Sequence, residues 1–425
     1  MEILRFGSRG ADVELLQLAL TRAGRSPGAI DGVFGNLTHS ALIAYQRVNG
    51  LAPDGIAGPL AWGSLLKFIM GFTVRQIARG DTFWALAGAF GTTVRAIETA
   101  NPDADPYNLR PGQTLIIPYG FPLVPTNIRY TSHLSDYIMT GLIVRYPFIR
   151  SSIIGRSAMN KPLTALSIGR GPARVFYNAT HHANEWITTP VLLKYLEDYA
   201  LALTSGGRIW ETPAAFLYND TTLFAVPLVN PDGIDLVNGV LNRGPHFEAA
   251  LRFARNYPYI PFPEGWKANI RGVDLNLQYP AAWEDARDIK YAQGFTRPGP
   301  RDFVGLSPLS EPESRAVYDF TLSRDFRLIL AYHTQGKIIY WKFRDFNPPR
   351  SYEIARKMGE ASGYTVEETP LASGAAGYKD WFIQDFNRPG YTIECGAGIN
   401  PLPLSQFDEI YRDNLGILTL GLLES

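Results

Sequence analysis

The sequence contains a single cysteine, Cys395, among its 425 residues. One cysteine excludes an internal disulfide and a cysteine-based zinc cluster, so a metal ion could use only oxygen and nitrogen ligands. Excess charge is also absent, because 40 basic residues balance 40 acidic residues. This balance argues against a nucleic acid or an anionic membrane as a partner held by bulk charge.

Long apolar runs are missing as well, so we expect no segment that spans a bilayer. The first residues also lack the basic start and apolar core of an export signal. The chain is too long for one ordinary hydrophobic core, and its length therefore predicts two or three domains.

Residues 1–70 contain a weak internal repeat, in which the runs "AIDGVFG" and "APDGIAG" each place an Asp-Gly turn before a helical stretch. Ala41, Leu42 and Tyr45 follow the spacing of a buried helical stripe. These features predict a small all-α domain. With "DGVFG" and "AYQ" as the carrying motifs, it resembles a peptidoglycan-binding domain of the three-helix kind, although a generic helical bundle has similar turns.

Residues 72–119 form a second unit with the predicted order β-α-α-β. An alternating segment, residues 73–77, leads into Gly80-Asp81-Thr82, which has the pattern of a helix N-cap. The motifs "GDT", "TAN" and "LRPGQTLIIP" make this unit resemble a LysM domain. The resemblance implies binding to glycans that contain N-acetylglucosamine, peptidoglycan above all, in a groove between the first strand and the first helix. The fold alone would also fit a spacer that has lost its ligand.

Residues 123–425 read as one α/β domain with a mixed sheet flanked by helices, because short apolar runs alternate with helical ones. The predicted strands are residues 164–168, 175–178, 223–229, 328–332 and 391–393, and predicted helices include residues 191–203 and 314–322.

Two adjacent histidines and a glutamate in "HHANEW" follow one of these strands. His182 and Glu185 are three residues apart, so both side chains can face one point on a turn, as two zinc ligands require. His181 fits at a spacing of four and is the alternative ligand. His333 ends the apolar run "RLILAYH" and could supply a third ligand at the same sheet edge. Such a set leaves a fourth zinc position for water, which is typical of a catalytic site.

A hydrolytic metal site also needs a general base, and Glu394 in "RPGYTIECGAG" is the candidate. The order of "HHANEW", "GVDLNLQYP", His333 and "YTIE" resembles the zinc carboxypeptidase family over residues 123–425. The resemblance implies one zinc ion bound by His182, Glu185 and His333, with Glu394 as the base. It also places Lys267 where the family has an oxyanion-stabilising arginine; Arg271 is a nearby alternative.

Several positions depart from the pattern of the exopeptidases in this family. Asn276 is kept, but Leu277 replaces the arginine that would bind a terminal carboxylate, and leucine cannot form that ion pair. The tyrosine expected before the final strand is also missing from "TPLASGAAGYKDWF", where Tyr378 and Lys379 come later. The residues expected to bind substrate are Asn276, Lys379, Tyr378 and Arg271. By the resemblance, Lys379 falls at the specificity position of the pocket, although a lysine pointing to solvent is the simpler alternative.

Through these departures and the run "WKANIRGVDLNLQYP", the chain resembles the γ-D-glutamyl-L-diamino acid endopeptidases, the peptidoglycan-cutting branch of the family. The resemblance implies cleavage of peptide stems, with a substrate carboxylate bound by Lys379 and Asn276, and attachment of the enzyme to glycan strands by the N-terminal domains. A zinc carboxypeptidase acting on peptide C-termini is the alternative, and a wall-binding protein with an inactive domain is a third. The location stays open between the cell wall and the cytoplasm of a sporulating mother cell.

Three further features receive structural interpretations. Ser310 stands three residues before Glu313, which predicts a capping box at a helix start, with Pro312 in the first turn. Cys395 is expected to be a small buried residue rather than a nucleophile. The aromatic run "FARNYPYIPFPEGW" is expected to form a packed loop or the wall of a groove.

Overall fold

The computed structural model describes residues 1–370 and 374–425. Leu371 and Ala372, which stand near the position of the family's missing tyrosine, lie outside the described residues. Contacts between residues divide the chain into two compact units, Met1–Arg150 and Ser151–Ser425. The finer division into domains at residues 1–70, 72–119 and 123–425 stays a prediction.

The first unit begins with three helices and continues with a small two-stranded sheet that encloses two more. Its elements are α1 (Ala11–Arg22), α2 (Asn36–Val48), α3 (Pro59–Met70), β1 (Phe72–Gln76), α4 (Phe83–Ala89), α5 (Val94–Ala100), β2 (Thr114–Pro118) and α6 (Ser132–Arg145). Strands β1 and β2 pair antiparallel. Thr82 caps α4 by accepting a hydrogen bond from the backbone N–H of Ala85, as the sequence predicts.

The internal repeat of residues 1–70 has a physical basis in two matching hydrogen-bond clusters. The Gln17 amide donates to Asp31, and the Gln46 amide donates to Asp54, at 2.9 and 2.8 Å. Each glutamine oxygen accepts from the backbone N–H of the following glycine, Gly32 or Gly55. Both glycines have a positive φ, a conformation that favours glycine. A buried helical glutamine thus holds each Asp-Gly turn in place.

The second unit is built on an eight-stranded sheet with the order β11-β10-β12-β9-β5-β8-β4-β3. Its strands are β3 (Arg150–Arg156), β4 (Pro162–Gly169), β5 (Ala173–Ala179), β8 (Thr221–Val226), β9 (Leu328–Thr334), β10 (Ile338–Tyr340), β11 (Thr365–Glu367) and β12 (Gly390–Cys395). A separate ribbon contains β6 (Arg208–Ile209) and β7 (Thr212–Pro213). Strands β8, β5, β9 and β12 run parallel, whereas β4 pairs antiparallel with β8 and β10 pairs antiparallel with β12. The sheet is therefore mixed, as predicted.

Helices cover both faces of this sheet. They are α7 (Thr188–Ser205), α8 (Ala214–Asp220), α9 (Pro231–Val237), α10 (Pro245–Ala254), α11 (Trp283–Ala292), α12 (Pro312–Leu322), α13 (Ser351–Ser362), α14 (Tyr378–Phe386) and α15 (Phe407–Leu423). Neighbouring residues of β5 show the two faces, because side chains alternate along a strand. Phe176 packs edge-on against Tyr378 of α14, and the hydroxyl of Tyr177 donates to the carbonyl of Leu418 in α15.

Parallel strands place the functional residues at one edge. His182 follows β5, whereas His333 and Glu394 are the penultimate residues of β9 and β12. Because β5, β9 and β12 are adjacent and parallel, their carboxyl ends meet at the same edge, where ligand sites form in open α/β sheets.

The capping box predicted at Ser310 is wrong. Glu311 occupies the N-cap of α12 without a side-chain cap, and the Ser310 hydroxyl instead donates to Gln278. The Glu313 carboxylate turns away from the helix start and accepts hydrogen bonds from the backbone N–H of Ala158 and from Asn269. Burial of both Glu311 and Glu313 in tertiary contacts overrides the local capping pattern. The expectation for Pro312, at the first position of the helix, is correct.

Candidate metal centre and cleft

The turn after β5 is held by buried polar contacts that fix the direction of two predicted ligands. Thr180 adopts a positive φ of 57°, and its hydroxyl bonds the hydroxyls of Thr188 and Thr189 at the start of α7. The Asn230 amide donates to the carbonyl of His181. These contacts stabilise a short 3-10 turn that carries Glu185.

His182, Glu185 and His333 converge, with one potential ligand atom of each within 4.8 Å of the others. The Nδ1 atoms of the two histidines lie 3.2 Å apart. Glu185 places Oε1 3.0 Å from Nδ1 of His182 and Oε2 2.9 Å from Nδ1 of His333. Two imidazole nitrogens and a carboxylate facing one point form a donor set that suits zinc.

The other side of His182 is held by a second carboxylate, as metal-binding histidines require. Its Nε2 lies 2.9 Å from Oδ1 of Asp274, and this contact assigns Nδ1 to the metal side. Although burial alone would raise it, the neighbouring His182 holds the pKa of Asp274 well below its usual range. Asp274 therefore orients the ring and stays ionised.

His181, the alternative ligand, lies outside the converging group. Its Nε2 is 2.9 Å from the hydroxyl of Tyr279 in the buried core. Burial and the two neighbouring histidines hold the pKa of His181 well below its ordinary value, so the ring is neutral. The structure thus separates the adjacent histidines, with one directed into the core and the other toward Glu185.

Glu394 lies beside the converging group because β12 pairs with β9. Its register partner is His333, one strand away. Burial and the nearby Glu185 carboxylate raise the pKa of Glu394 to about 8. The side chain lines the same cavity as His182 and His333. A carboxyl group with this position and a raised pKa fits a group that exchanges protons.

The Lys267 ammonium points toward the group formed by the two histidines and Glu185, with Nζ 2.8 Å from Oε1 of Glu185. Although burial opposes it, the Glu185 carboxylate raises the pKa of Lys267, so the lysine is charged. The backbone at this position is also fixed, because the carbonyl of Lys267 accepts from the N–H of Ala183 and its own N–H donates to Pro300.

Two adjoining chambers open around these groups. The inner chamber, of about 200 Å³, contains His182, His333, Leu277 and Lys379 in its lining. The outer chamber, of about 800 Å³, is walled by the aromatic run found in the sequence, including Tyr259 and Glu264. The residues common to both chambers are Lys267, Lys290, Arg301, Asp302, Tyr340 and Glu394. The aromatic run is therefore the wall of a groove, as expected.

Two of the four residues predicted to bind substrate line the inner chamber. Asn276 accepts a hydrogen bond from the backbone N–H of Tyr378. Lys379 is 3% exposed rather than directed to solvent. Its ammonium donates to the carbonyl of Lys342 and the hydroxyl of Thr369, and it pairs with Asp380 at 2.6 Å. The charge of Lys379 is thus largely compensated within the protein.

The other two predicted residues lie elsewhere. The side chain of Tyr378 belongs to the hydrophobic core, where its hydroxyl bonds Thr321. Arg271 is half exposed and pairs with Glu311 at 3.6 Å. Neither residue is part of the described lining of the inner or outer chamber. Tyr378 is directed inward because it begins α14, whose buried face packs on the sheet.

Four residues of the cleft were not found from the sequence. Asp274 lies within the motif "GVDLNLQYP", two residues before Asn276, and this position was the available signal for a group that supports a ligand. Lys290 on α11, and Arg301 and Asp302 in the segment between α11 and α12, have no comparable signal, because only the tertiary fold brings them to the cleft.

Comparisons with known proteins agree with the family resemblances found in the sequence. The zinc carboxypeptidase family matches residues 138–416, a peptidoglycan binding domain matches residues 9–65, and a LysM domain matches residues 76–118. The chain is 46% identical over 299 residues, 70% of its length, to gamma-D-glutamyl-L-diamino acid endopeptidase 1 of Lysinibacillus sphaericus, of which it covers 72%. It is 42% identical to an uncharacterized protein of Bacillus subtilis (strain 168), over 64% of this chain and 72% of that protein.

The fold is shared with a solved structure of thrombin activatable fibrinolysis inhibitor, with a TM-score of 0.56 and 18% identity over 70% of this chain and 75% of the other. Within the described residues, no helix has the length and apolar character needed to cross a membrane. The matched sequence, the mixed sheet and the histidine–glutamate group at its edge agree. The chain belongs to the zinc carboxypeptidase family, and it carries peptidoglycan-binding and LysM domains ahead of the metallopeptidase domain.

Proposed function

We propose that this metallopeptidase cleaves the amide bond between the γ-carboxyl group of D-glutamate and meso-diaminopimelate, or another L-diamino acid, in peptidoglycan stems. The observation that carries the proposal is the pairing of a zinc-type donor set with Leu277, at the position where exopeptidases of the family bind a terminal carboxylate. The activity named for the relative from Lysinibacillus sphaericus supports the same substrate class.

His182, Glu185 and His333 would hold one zinc ion, with Asp274 orienting His182. When bound, zinc supplies Lewis-acid chemistry that acidifies water and polarises a carbonyl group. Glu394 would take a proton from the attacking water and later deliver it to the leaving nitrogen. Its position beside His333, and a pKa raised by burial and by Glu185, suit both steps.

Lys267 would stabilise the negative charge that develops on the carbonyl oxygen of the scissile bond. Its ammonium is buried and held 2.8 Å from Glu185, so its charge is positioned before the substrate arrives. A lysine supplies a point charge at this place, without the paired hydrogen bonds that an arginine offers.

The inner chamber would receive the diamino acid on the leaving side, with Asn276 and Lys379 near its carboxylates. Leu277 is 8% exposed and offers only apolar surface there. An ordinary C-terminal carboxylate would find no arginine at that place, and this argues against a carboxypeptidase. Lys379 would act with Asp380, since the two side chains already form an ion pair.

The first unit would attach the enzyme to the glycan strands of the wall. Its domain types indicate binding to peptidoglycan. Contact with N-acetylglucosamine in the LysM domain, and access of the metallopeptidase domain to nearby stems, are the finer parts of the proposal. Attachment raises the local concentration of an insoluble substrate without any change in the cleft.

Mass spectrometry of products from defined tripeptide and tetrapeptide muropeptides, with and without a chelator, tests the proposal. We expect new L-Ala-D-Glu termini and free diaminopimelyl products, all abolished by the chelator and restored by zinc. A plain L-peptide with a free C-terminus serves as the competing substrate. Release of its last residue at a comparable rate would replace the proposal with a carboxypeptidase.

A further inference from the structure

Lys290 and Arg301 form a paired cationic site at the junction of the two chambers. The Lys290 ammonium lies 2.6 Å from Oδ1 of Asp302, and Nε of Arg301 lies 2.5 Å from its Oδ2. Two positive groups therefore share one carboxylate, and one positive charge is left uncompensated within the trio. The side chain of Lys290 is 13% exposed, so this charge lies in a partly desolvated place where a substrate anion is bound more strongly than in water.

The site is held in a fixed position relative to the metal ligands by a chain of hydrogen bonds. One oxygen of Asp274 bonds His182, and the other accepts from the backbone N–H of Asp302 at 3.2 Å. The N–H of Asp274 in turn donates to the carbonyl of Phe303. Asp302 has a φ of 63°, an uncommon backbone conformation that constrains the direction of its side chain. The cations are thus presented at a set distance from the reacting centre.

Donors of both cations remain available for a ligand. Lys290 uses its ammonium for Asp302 alone among the described residues, and Arg301 contacts Asp302 through Nε. The two terminal nitrogens of the Arg301 guanidinium can therefore form the paired hydrogen bonds that a carboxylate accepts.

The outer chamber identifies which part of the substrate meets these cations. The inner chamber contains Leu277 and Lys379, the positions that face the leaving side of the substrate in this family. The acyl side then extends into the outer chamber, and Lys290 and Arg301, which line both chambers, meet it at their junction. In a γ-linked glutamyl residue, the acyl side carries a free α-carboxylate that is separated from the scissile carbonyl carbon by three carbon atoms. An ordinary α-linked peptide has no carboxylate on its backbone there.

We propose that Lys290 and Arg301 bind this α-carboxylate, with Asp302 as the residue that positions both cations. The inference rests on the proposed function and adds the group that distinguishes a γ-glutamyl bond from an ordinary peptide bond. It also implies that the enzyme discriminates between stems whose D-glutamyl residue has a free α-carboxylate and stems in which that group is a carboxamide.

Two synthetic substrates test this inference: L-Ala-γ-D-Glu-meso-diaminopimelate and the same peptide with an α-carboxamide on its glutamyl residue. We expect the zinc-loaded full-length enzyme to have a kcat/KM about 10- to 100-fold higher for the acid, since a hydrogen-bonded charge pair is lost in the amide. Arg301→Gln and Lys290→Met should remove most of this preference by lowering activity on the acid while leaving the amide nearly unchanged.

Arg271→Gln is the matched control, because Arg271 lies outside both linings and its loss should leave the preference intact. Asp302→Asn tests positioning, since asparagine also tolerates a positive φ. It should raise KM for the acid with little change in kcat, and Asp302→Glu should partly restore KM. Zinc content and thermal unfolding of each variant establish that the fold is kept.

The inference is overturned if the wild-type enzyme cleaves acid and amide equally well, or if the Lys290 and Arg301 variants lose activity on both substrates to the same extent. Either result leaves the proposed function intact, because γ-linked stems are still cleaved. Failure of the wild-type enzyme to cleave both substrates would instead contradict the proposed function itself.

Discussion

Glu394 and His333 are register partners in the parallel strands β12 and β9, so the proposed base and a metal ligand are joined through the backbone of one sheet. Both residues stand one position before the end of their strands. A sheet ladder is more rigid than a loop, and this pairing therefore fixes the separation of the two groups before substrate binds.

Glu394→Gln should leave the metal bound and remove turnover, because the amide has nearly the same shape but cannot accept the proton of water. A loss of about 10²- to 10⁴-fold in kcat is the expected range for general-base catalysis. Zinc is measured by atomic absorption and turnover on a defined muropeptide. Glu367→Gln in the neighbouring part of the sheet is the control, since that side chain is exposed. Turnover near the wild-type level in the Glu394 variant would remove this residue from the mechanism.

Asp274→Asn should weaken zinc binding by about 10- to 100-fold, because the neutral amide no longer stabilises the orientation and basicity of His182. Competition with a fluorescent zinc chelator measures the affinity directly and does not depend on activity. Asp288→Asn, at a carboxylate that is 69% exposed on α11, should leave the affinity unchanged. An unchanged zinc affinity in both variants would show that the contact of Asp274 with His182 does not support the metal site.

Local patterns made much of the fold and the convergent group predictable. His182 and Glu185 are close in sequence, and His333 and Glu394 each stand near the end of an apolar run that favours a buried strand. Adjacent parallel strands then bring their ends together by geometry alone. The Asp-Gly turns of the first unit were also visible, although the glutamines that hold them, Gln17 and Gln46, were not recognised.

Other features depend on contacts between distant segments, which a local pattern does not encode. Glu313 has the spacing of a capping box with Ser310, but its carboxylate is taken up by residues 158 and 269. Tyr378 was expected in the substrate pocket and lies in the core, since its place on α14 faces the sheet. Lys290 and Arg301 come together only because both contact Asp302.

Trp84→Ala should weaken attachment of the protein to insoluble peptidoglycan. The Trp84 side chain is 81% exposed at the start of α4, beside the groove expected in a LysM domain, and an exposed indole offers a flat surface for a sugar ring. Co-sedimentation of the fragment 1–150 with sacculi, with soluble N-acetylglucosamine oligomers as competitor, measures the effect. Val48→Ala, at an exposed position of α2, is the control. Equal retention of both variants would place the sugar contact elsewhere.

Glu313 should make the stability of the second unit depend on pH. Burial raises the pKa of Glu313 from an ordinary value of 4.5 to about 7, so the folded protein holds this proton more tightly than the unfolded chain. The tighter binding of this proton therefore stabilises the fold fully below pH 4.5, and this stabilisation is lost as the pH rises to about 7. The shift in pKa corresponds to roughly 3 kcal/mol in the free energy of unfolding. This loss is absent in Glu313→Gln. Urea titrations between pH 5 and 8 should therefore show that the free energy of unfolding of the variant increases relative to that of the wild-type protein as the pH rises. Glu248→Gln, at an exposed glutamate, should follow the wild-type curve. Parallel curves for Glu313→Gln and the wild-type protein would mean that Glu313 is already ionised at pH 5 in the folded protein.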